Sequence, residues 1–152
     1  MYPGKYAQLH ADRPAFIMAS TGEAMTHGEL EQRSNRLAHL LRAEGLQRLD
    51  HYAVFMENNH RFIEACMAGE RAGLYYTCIN SYLTADELAY ILNNSESQVL
   101  VTSESRLAVA REALLRRQQP DGHWVFELEA DAGDDEASLA SQAVLPWVAG
   151  FS

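Results

Sequence analysis

Three short, unbroken apolar runs recur along this chain, each followed within a few residues by a helix with a legible start, and that alternation restricts the fold more than any other feature. The runs are Tyr52 to Met56, Leu74 to Ile79 and Val99-Leu100-Val101. Their lengths suit strands, and their lack of polar alternation calls for strands covered on both faces, as in a parallel sheet. After the first run, Asn58 or Asn59 is placed to cap a helix carrying Phe62, Ala65, Cys66 and Ala72 until Gly73. After the second, Thr84 and Glu87 stand at capping-box spacing ahead of Leu88, Ile91 and Leu92. After the third, Leu107, Ala110 and Leu114 mark a helix running to about Arg117. The pattern predicts an α/β fold, a three-layer subdomain whose mostly parallel sheet is flanked by helices.

The flanks are less regular. Ala15 to Ala19, the turn-like Ser20-Thr21-Gly22 and Ala24-Met25-Thr26 predict a small hairpin. Thr26 and Glu29 then form a second capping box, opening a helix whose Leu30, Leu37 and Leu41 share one face until Gly45. Past Pro120-Asp121-Gly122, His123 to Leu128 reads as a further strand, Asp131 to Glu136 as an acidic stretch and Glu136 to Ala143 as a weak helix. Leu145-Pro146-Trp147-Val148 has no periodic partner. The expected division is an α/β subdomain over 1–128 and an acidic, irregular tail over 129–152.

Charge narrows the function classes. Twelve Lys and Arg against 21 Asp and Glu leave a formal charge of −9, so nucleic acid is not an expected partner. Arg111, Arg116 and Arg117 follow helical spacing and read as a solvated face. Cys66 and Cys78 lie in apolar segments without a metal-type pair, and both read as small core residues in a reducing compartment. The start MYPGKYAQLH lacks a basic-then-apolar signal pattern, and no apolar run approaches the roughly 20 residues that span a bilayer. The expectation is a cytoplasmic protein without a membrane span.

Glu57-Asn58-Asn59-His60-Arg61-Phe62, Ala72-Gly73-Leu74-Tyr75-Tyr76-Thr77 and Ile79-Asn80-Ser81-Tyr82-Leu83-Thr84 resemble, in this order, the fatty-acyl-CoA ligases of the adenylate-forming, AMP-binding superfamily. Thr26-His27-Gly28-Glu29-Leu30 is similar to that family's early Thr-Tyr-x-Glu-Leu motif, with His27 in place of the aromatic residue. Asp86 to Leu92 and Val99 to Ser103 continue the likeness, which thins from Gln118 and stops after Gln142. One departure is Leu49, where the family has Gly before Asp50, which bears on the tightness of that turn.

The resemblance implies the amino-terminal portion of an enzyme that activates a carboxylic acid with ATP and magnesium to an acyl-adenylate and passes the acyl group to CoA. The family's phosphate loop, rich in Ser, Thr and Gly and ending in lysine, has no counterpart among these residues. Ser20-Thr21-Gly22 is the nearest imitation and is too short to wrap a triphosphate. Lys5, the single lysine, does not correspond to the family's catalytic lysine, which sits on a carboxy-terminal domain. The six histidines include no close pair at metal-ligand spacing. The expectation is therefore a truncated ligase segment, inactive alone, with no catalytic residue, no metal site and no cofactor of its own. ATP, magnesium, CoA and the acid substrate belong to a complete enzyme.

Asn80, Ser81 and Tyr82 are substrate-proximal candidates because they follow a predicted strand at its carboxyl end, where ligands approach α/β sheets. A turn leading into the Thr84 cap is the competing structural reading. His60 is the fourth candidate, placed in the first helical turn after Asn59. A different class of function is a stand-alone interaction module that pairs with a full-length ligase. Self-association, most simply as a dimer, is also expected.

Overall fold

The computed structural model describes residues 4–116, 124–127 and 145–146. It divides into two compact units, Met1–Leu49 with Asn58–Tyr75, and Asp50–Glu57 with Tyr76–Ser152.

In the first unit, α1 (Gly4–His10) precedes a hairpin of β1 (Pro14–Ile17) and β2 (Ala24–Thr26), then α2 (His27–Ala43) and α3 (His60–Ala72). The sequence gives no periodic signal for α1, whose seven residues are too few to show a stripe. The hairpin and α2 agree with the sequence reading. Thr26 caps α2 reciprocally with Glu29: the Glu29 N–H donates to Thr26 Oγ1, and the Thr26 N–H donates to Glu29 Oε2 at 2.8 Å. Leu30, Leu37 and Leu41 all face the core. Asn59, rather than Asn58, caps α3, its side-chain oxygen accepting from the Phe62 N–H at 3.1 Å.

Gly73 ends α3 in a left-handed conformation, φ 70°, and the following Leu74 N–H reaches back to the Gly69 carbonyl. A Cβ on Gly73 would also approach Arg48 Cγ to 3.2 Å. The preceding turn holds Leu49 at φ 78°, with its N–H donating to the Gly73 carbonyl at 2.8 Å. Leu49 thus stands where glycine's freedom is wanted.

Between α2 and α3, Arg71 donates to the Glu31 carbonyl, the Glu31 carboxylate and Ser34 Oγ. Glu64, almost fully buried, accepts from Arg61 at 3.1 Å and from Arg33 at 3.5 Å. Burying a carboxylate requires such partners. These polar residues interrupt the apolar stripes, which is why hydrophobic periodicity misses them.

The second unit carries the sheet, in strand order β4-β3-β5-β6-β7, where β3 is His51–Phe55, β4 Tyr75–Ile79, β5 Val99–Thr102, β6 Trp124–Glu127 and β7 Leu145–Pro146. β3 runs parallel to β5 in the register Tyr52↔Val99 to Phe55↔Thr102, and β5 runs parallel to β6. β7 adds antiparallel to β6, giving Leu145–Pro146 a partner that the sequence did not reveal. Alternate side chains divide the sheet. Ala53, Phe55 and Leu100 pack with Ile79, with Ala85, Leu88, Ala89 and Leu92 of α4 (Ala85–Asn94), and with Ala110 and Ala113 of α5 (Leu107–Leu115). Tyr52, Val54, Val99 and Val101, of the opposite set, are equally buried, as unbroken apolar strands require.

Thr84 and Glu87 form the expected capping box on α4. Arg116 pairs with Asp86 and Glu112, while Arg111 is exposed, so the helix-end basic cluster is a solvated face as far as Arg116. Cys66 is buried, but Cys78 is exposed, which corrects its reading as a core residue: β4 occupies one end of the strand order, and position 78 points out of the packed side. Arg117, the helix expected over Glu136 to Ala143 and most of the tail over 129–152 lie outside the described residues.

Candidate functional site

The chemistry-bearing residues of the second unit gather at the carboxyl ends of its parallel strands. β3 ends at Phe55, and Glu57 follows two residues later. β5 ends at Thr102, whose hydroxyl donates to the Phe55 carbonyl at 2.7 Å and ties the two strand ends together. Ser103 and Ser105 then donate to Glu57 Oε2 at 2.6 and 2.8 Å. Partial burial pushes the Glu57 carboxyl upward, but the Ser103 hydroxyl, a backbone N–H, the Ser105 hydroxyl and the charge of Arg106 outweigh it and hold the group below its ordinary value. Glu57 therefore stays a carboxylate, anchoring the short 3₁₀ turn Glu104–Arg106 that leads into α5.

Asn80, Ser81 and Tyr82 follow β4 in one turn. Asn80 Oδ1 accepts from the Tyr82 N–H at 3.0 Å, and the Asn80 carbonyl accepts from Leu83 at 3.2 Å, so the Asn80 side chain shapes the turn before the Thr84 cap. Ser81 is half-buried, and the Tyr82 ring is 85% exposed. Arg106 stands over that ring, its guanidinium carbon 5.7 Å from the centroid, within cation–π range. The turn after β4 and the turn after β5 thus meet through Tyr82 and Arg106.

His60 belongs to the other unit. It occupies the first position of α3, with Nδ1 3.8 Å from a Glu23 carboxylate oxygen on the hairpin, a contact that becomes an ion pair when the ring is protonated. The structure thus brings three of the four sequence candidates into one turn and places the fourth at a helix start with its own partner. Glu57, Ser103, Ser105 and Arg106 were missed as a cluster. Separations of 46 and 48 residues hide the Ser103 and Ser105 contacts to Glu57 from any local pattern. Their signal was positional: polar residues directly following two adjacent strands of the sheet.

Ser20-Thr21-Gly22 does not fit a phosphate. The Gly22 N–H donates to the Met18 carbonyl at 2.8 Å and the Glu23 N–H to Thr21 Oγ1 at 3.2 Å, so these two donors serve the turn itself. Lys5 is an exposed residue of α1. Among the described residues no group of three or more His, Cys, Asp or Glu is placed to hold a metal ion. No described helix is long and apolar enough to cross a membrane.

A profile of the AMP-binding enzyme family matches residues 5–148. The chain belongs to that family. The match extends past Gln142, where the likeness read from the sequence stops. The chain is 30% identical over 139 residues to the crotonobetaine/carnitine–CoA ligase of Salmonella paratyphi A, covering 90% of this chain and 27% of that enzyme. It is 30% identical over 124 residues to a medium/long-chain-fatty-acid–CoA/3-oxocholest-4-en-26-oate–CoA ligase of Mycolicibacterium smegmatis, covering 82% and 22%. Among solved structures, a Mycobacterium tuberculosis fatty acyl CoA synthetase superposes with a TM-score of 0.72 at 26% identity over 93% of this chain and 28% of that one. The chain spans about a quarter of the length of these AMP-binding relatives.

Proposed function

We propose that this chain is the amino-terminal α/β portion of an ATP-dependent carboxylic acid–CoA ligase and that its 152 residues do not by themselves form an acyl-adenylate. The observation that carries the reading is the family match over nearly the whole chain, in a sequence whose one short Ser-Thr-Gly stretch is closed on itself as a hairpin turn. Adenylation needs donors and cations aimed at the charge that develops on the α-phosphate. Among the described residues no acidic or histidine cluster is placed to hold magnesium, and the Ser20-Thr21-Gly22 turn is too short to cradle a triphosphate. What the chain supplies is the carboxyl end of a sheet, where Glu57 holds the turn after β5 and Asn80 the turn after β4. Asn80, Ser81 and Tyr82 are the residues we place closest to substrate in a complete enzyme.

Pyrophosphate exchange into ATP, with a panel of short, medium and long carboxylic acids, tests this reading. The purified chain is expected to give no exchange above a protein-free blank. Reproducible exchange that disappears on heating the protein would overturn the proposal.

A further inference from the structure

A pocket of about 100 Å³ opens between α2 and α3, lined by Asn35, Ala38, His39, Arg42, Arg71 and Ala72. Among the described residues no acidic one lines it, in a chain whose formal charge is −9. Asn35, His39 and Arg42 recur at four and three residues along α2, which places them on one face of the helix. None of these three side chains has a hydrogen-bond partner among the described residues. Arg71 differs: Glu31 and Ser34 clamp its guanidinium, so it forms a fixed wall of the pocket at little further entropic cost. Arg42 and Arg71 each stand in the last turn of their helix, where the carbonyl ends favour a cation.

We infer that this pocket binds a small tetrahedral oxyanion of the phosphate class, free or as the terminal group of a phosphate ester. The volume is well below the roughly 300 Å³ at which pockets begin to enclose drug-sized ligands, which excludes an acyl chain or a whole nucleotide from its interior. The lining supplies what an oxyanion needs: the uncommitted guanidinium of Arg42, the Asn35 amide and a ring N–H of His39, beside a guanidinium already held in place. The site is separate from the Glu57 and Asn80 turns and stands whether or not the proposed ligase role is right.

The test is an NMR titration of the His39 imidazole resonances in the intact chain at constant pH. Inorganic phosphate is the first probe, a nucleoside monophosphate the second, and sodium chloride at matched ionic strength the control. Phosphate is expected to give a saturable shift with a midpoint on the order of millimolar, about 4 kcal/mol of binding. The Arg42→Gln variant should weaken it about fivefold, the upper end for an exposed ion pair. Arg111→Gln, an exposed change in the other unit, should leave it unaltered. Saturation by phosphate alone assigns a free anion, and equal saturation by the monophosphate assigns an ester terminus. A non-saturating shift, an equal response to chloride, or an unchanged midpoint in Arg42→Gln with native thermal stability would overturn the inference. Should Arg42→Gln unfold, Asn35→Ala carries the same comparison.

Discussion

Leu49 shows how one residue is strained by its place. A leucine at φ 78° crowds its Cβ against the backbone, a cost of roughly 1–2 kcal/mol that glycine avoids. Glycine in turn loses more freedom on folding, by roughly 0.5–1 kcal/mol. Leu49→Gly is therefore expected to stabilise the chain by about 0.5 kcal/mol, read as a higher urea midpoint at unchanged slope. Leu49→Ala keeps the Cβ and should give no gain. An equal gain from alanine would locate the effect in the half-exposed side chain rather than the backbone. Glu57 makes a second prediction at this scale. Its folded carboxyl sits below the ordinary value of 4.5, so its hydrogen bonds contribute stability above that value, and the contribution is lost as pH falls through the lowered folded value. Glu57→Gln removes the titration. Wild type should exceed the variant at pH 7 and converge toward it below pH 4.5 in paired thermal melts. A stability gap that stayed constant down to acid pH would assign Glu57 a packing role only.

At the scale of elements, the most legible parts of the sequence were those that obey a local rule. Thr26-x-x-Glu29 and Thr84-x-x-Glu87 predicted helix starts, and both capping boxes form. Thr26→Ala and Thr84→Ala should each cost about 1 kcal/mol, measured by chemical denaturation, because each leaves helix N–H groups without an acceptor. Serine at either position should restore most of the loss; failure to do so would point to packing of the threonine methyl instead. The three apolar runs became β3, β4 and β5 because burial on both faces is written in the residues themselves. What stayed hidden depends on distance along the chain. Glu64 pairs with Arg33 across 31 residues, Arg71 with Glu31 across 40, and Glu57 with Ser103 across 46. No helical or strand period encodes such pairings. Cys78 was misread for a related reason: an apolar run states that a strand is present, but not that it sits at one end of the sheet. For the candidate site, the turn at Asn80 to Tyr82 was foreseen from its place after a strand, and its partner Arg106 only emerged once β5 was set beside β3.

For the whole molecule, charge and exposed apolar area act in opposite directions on association. Tyr90 and Leu115 stand 69% and 66% exposed in the second unit, as do Leu9 and Ile17 at 68% and 61% in the first. Single exposed apolar residues are ordinary on a protein surface. Here they occur in a chain that spans about a quarter of its relatives' length. The formal charge of −9 opposes approach of two copies, and added salt screens that repulsion while leaving apolar burial in force. A discrete dimer is therefore expected, with its population rising with ionic strength as well as with protein concentration. Sedimentation velocity at low and high micromolar protein, each at about 0.05 and 0.5 M salt, reads both dependences, since the screening length falls several-fold across that range. Dimer that dissolves as salt rises would mean that ion pairs, such as those Arg116 makes on the surface, hold the copies together. A monomer at every concentration and salt level would mean that the exposed residues are scattered singly and that the charge alone governs the solution state.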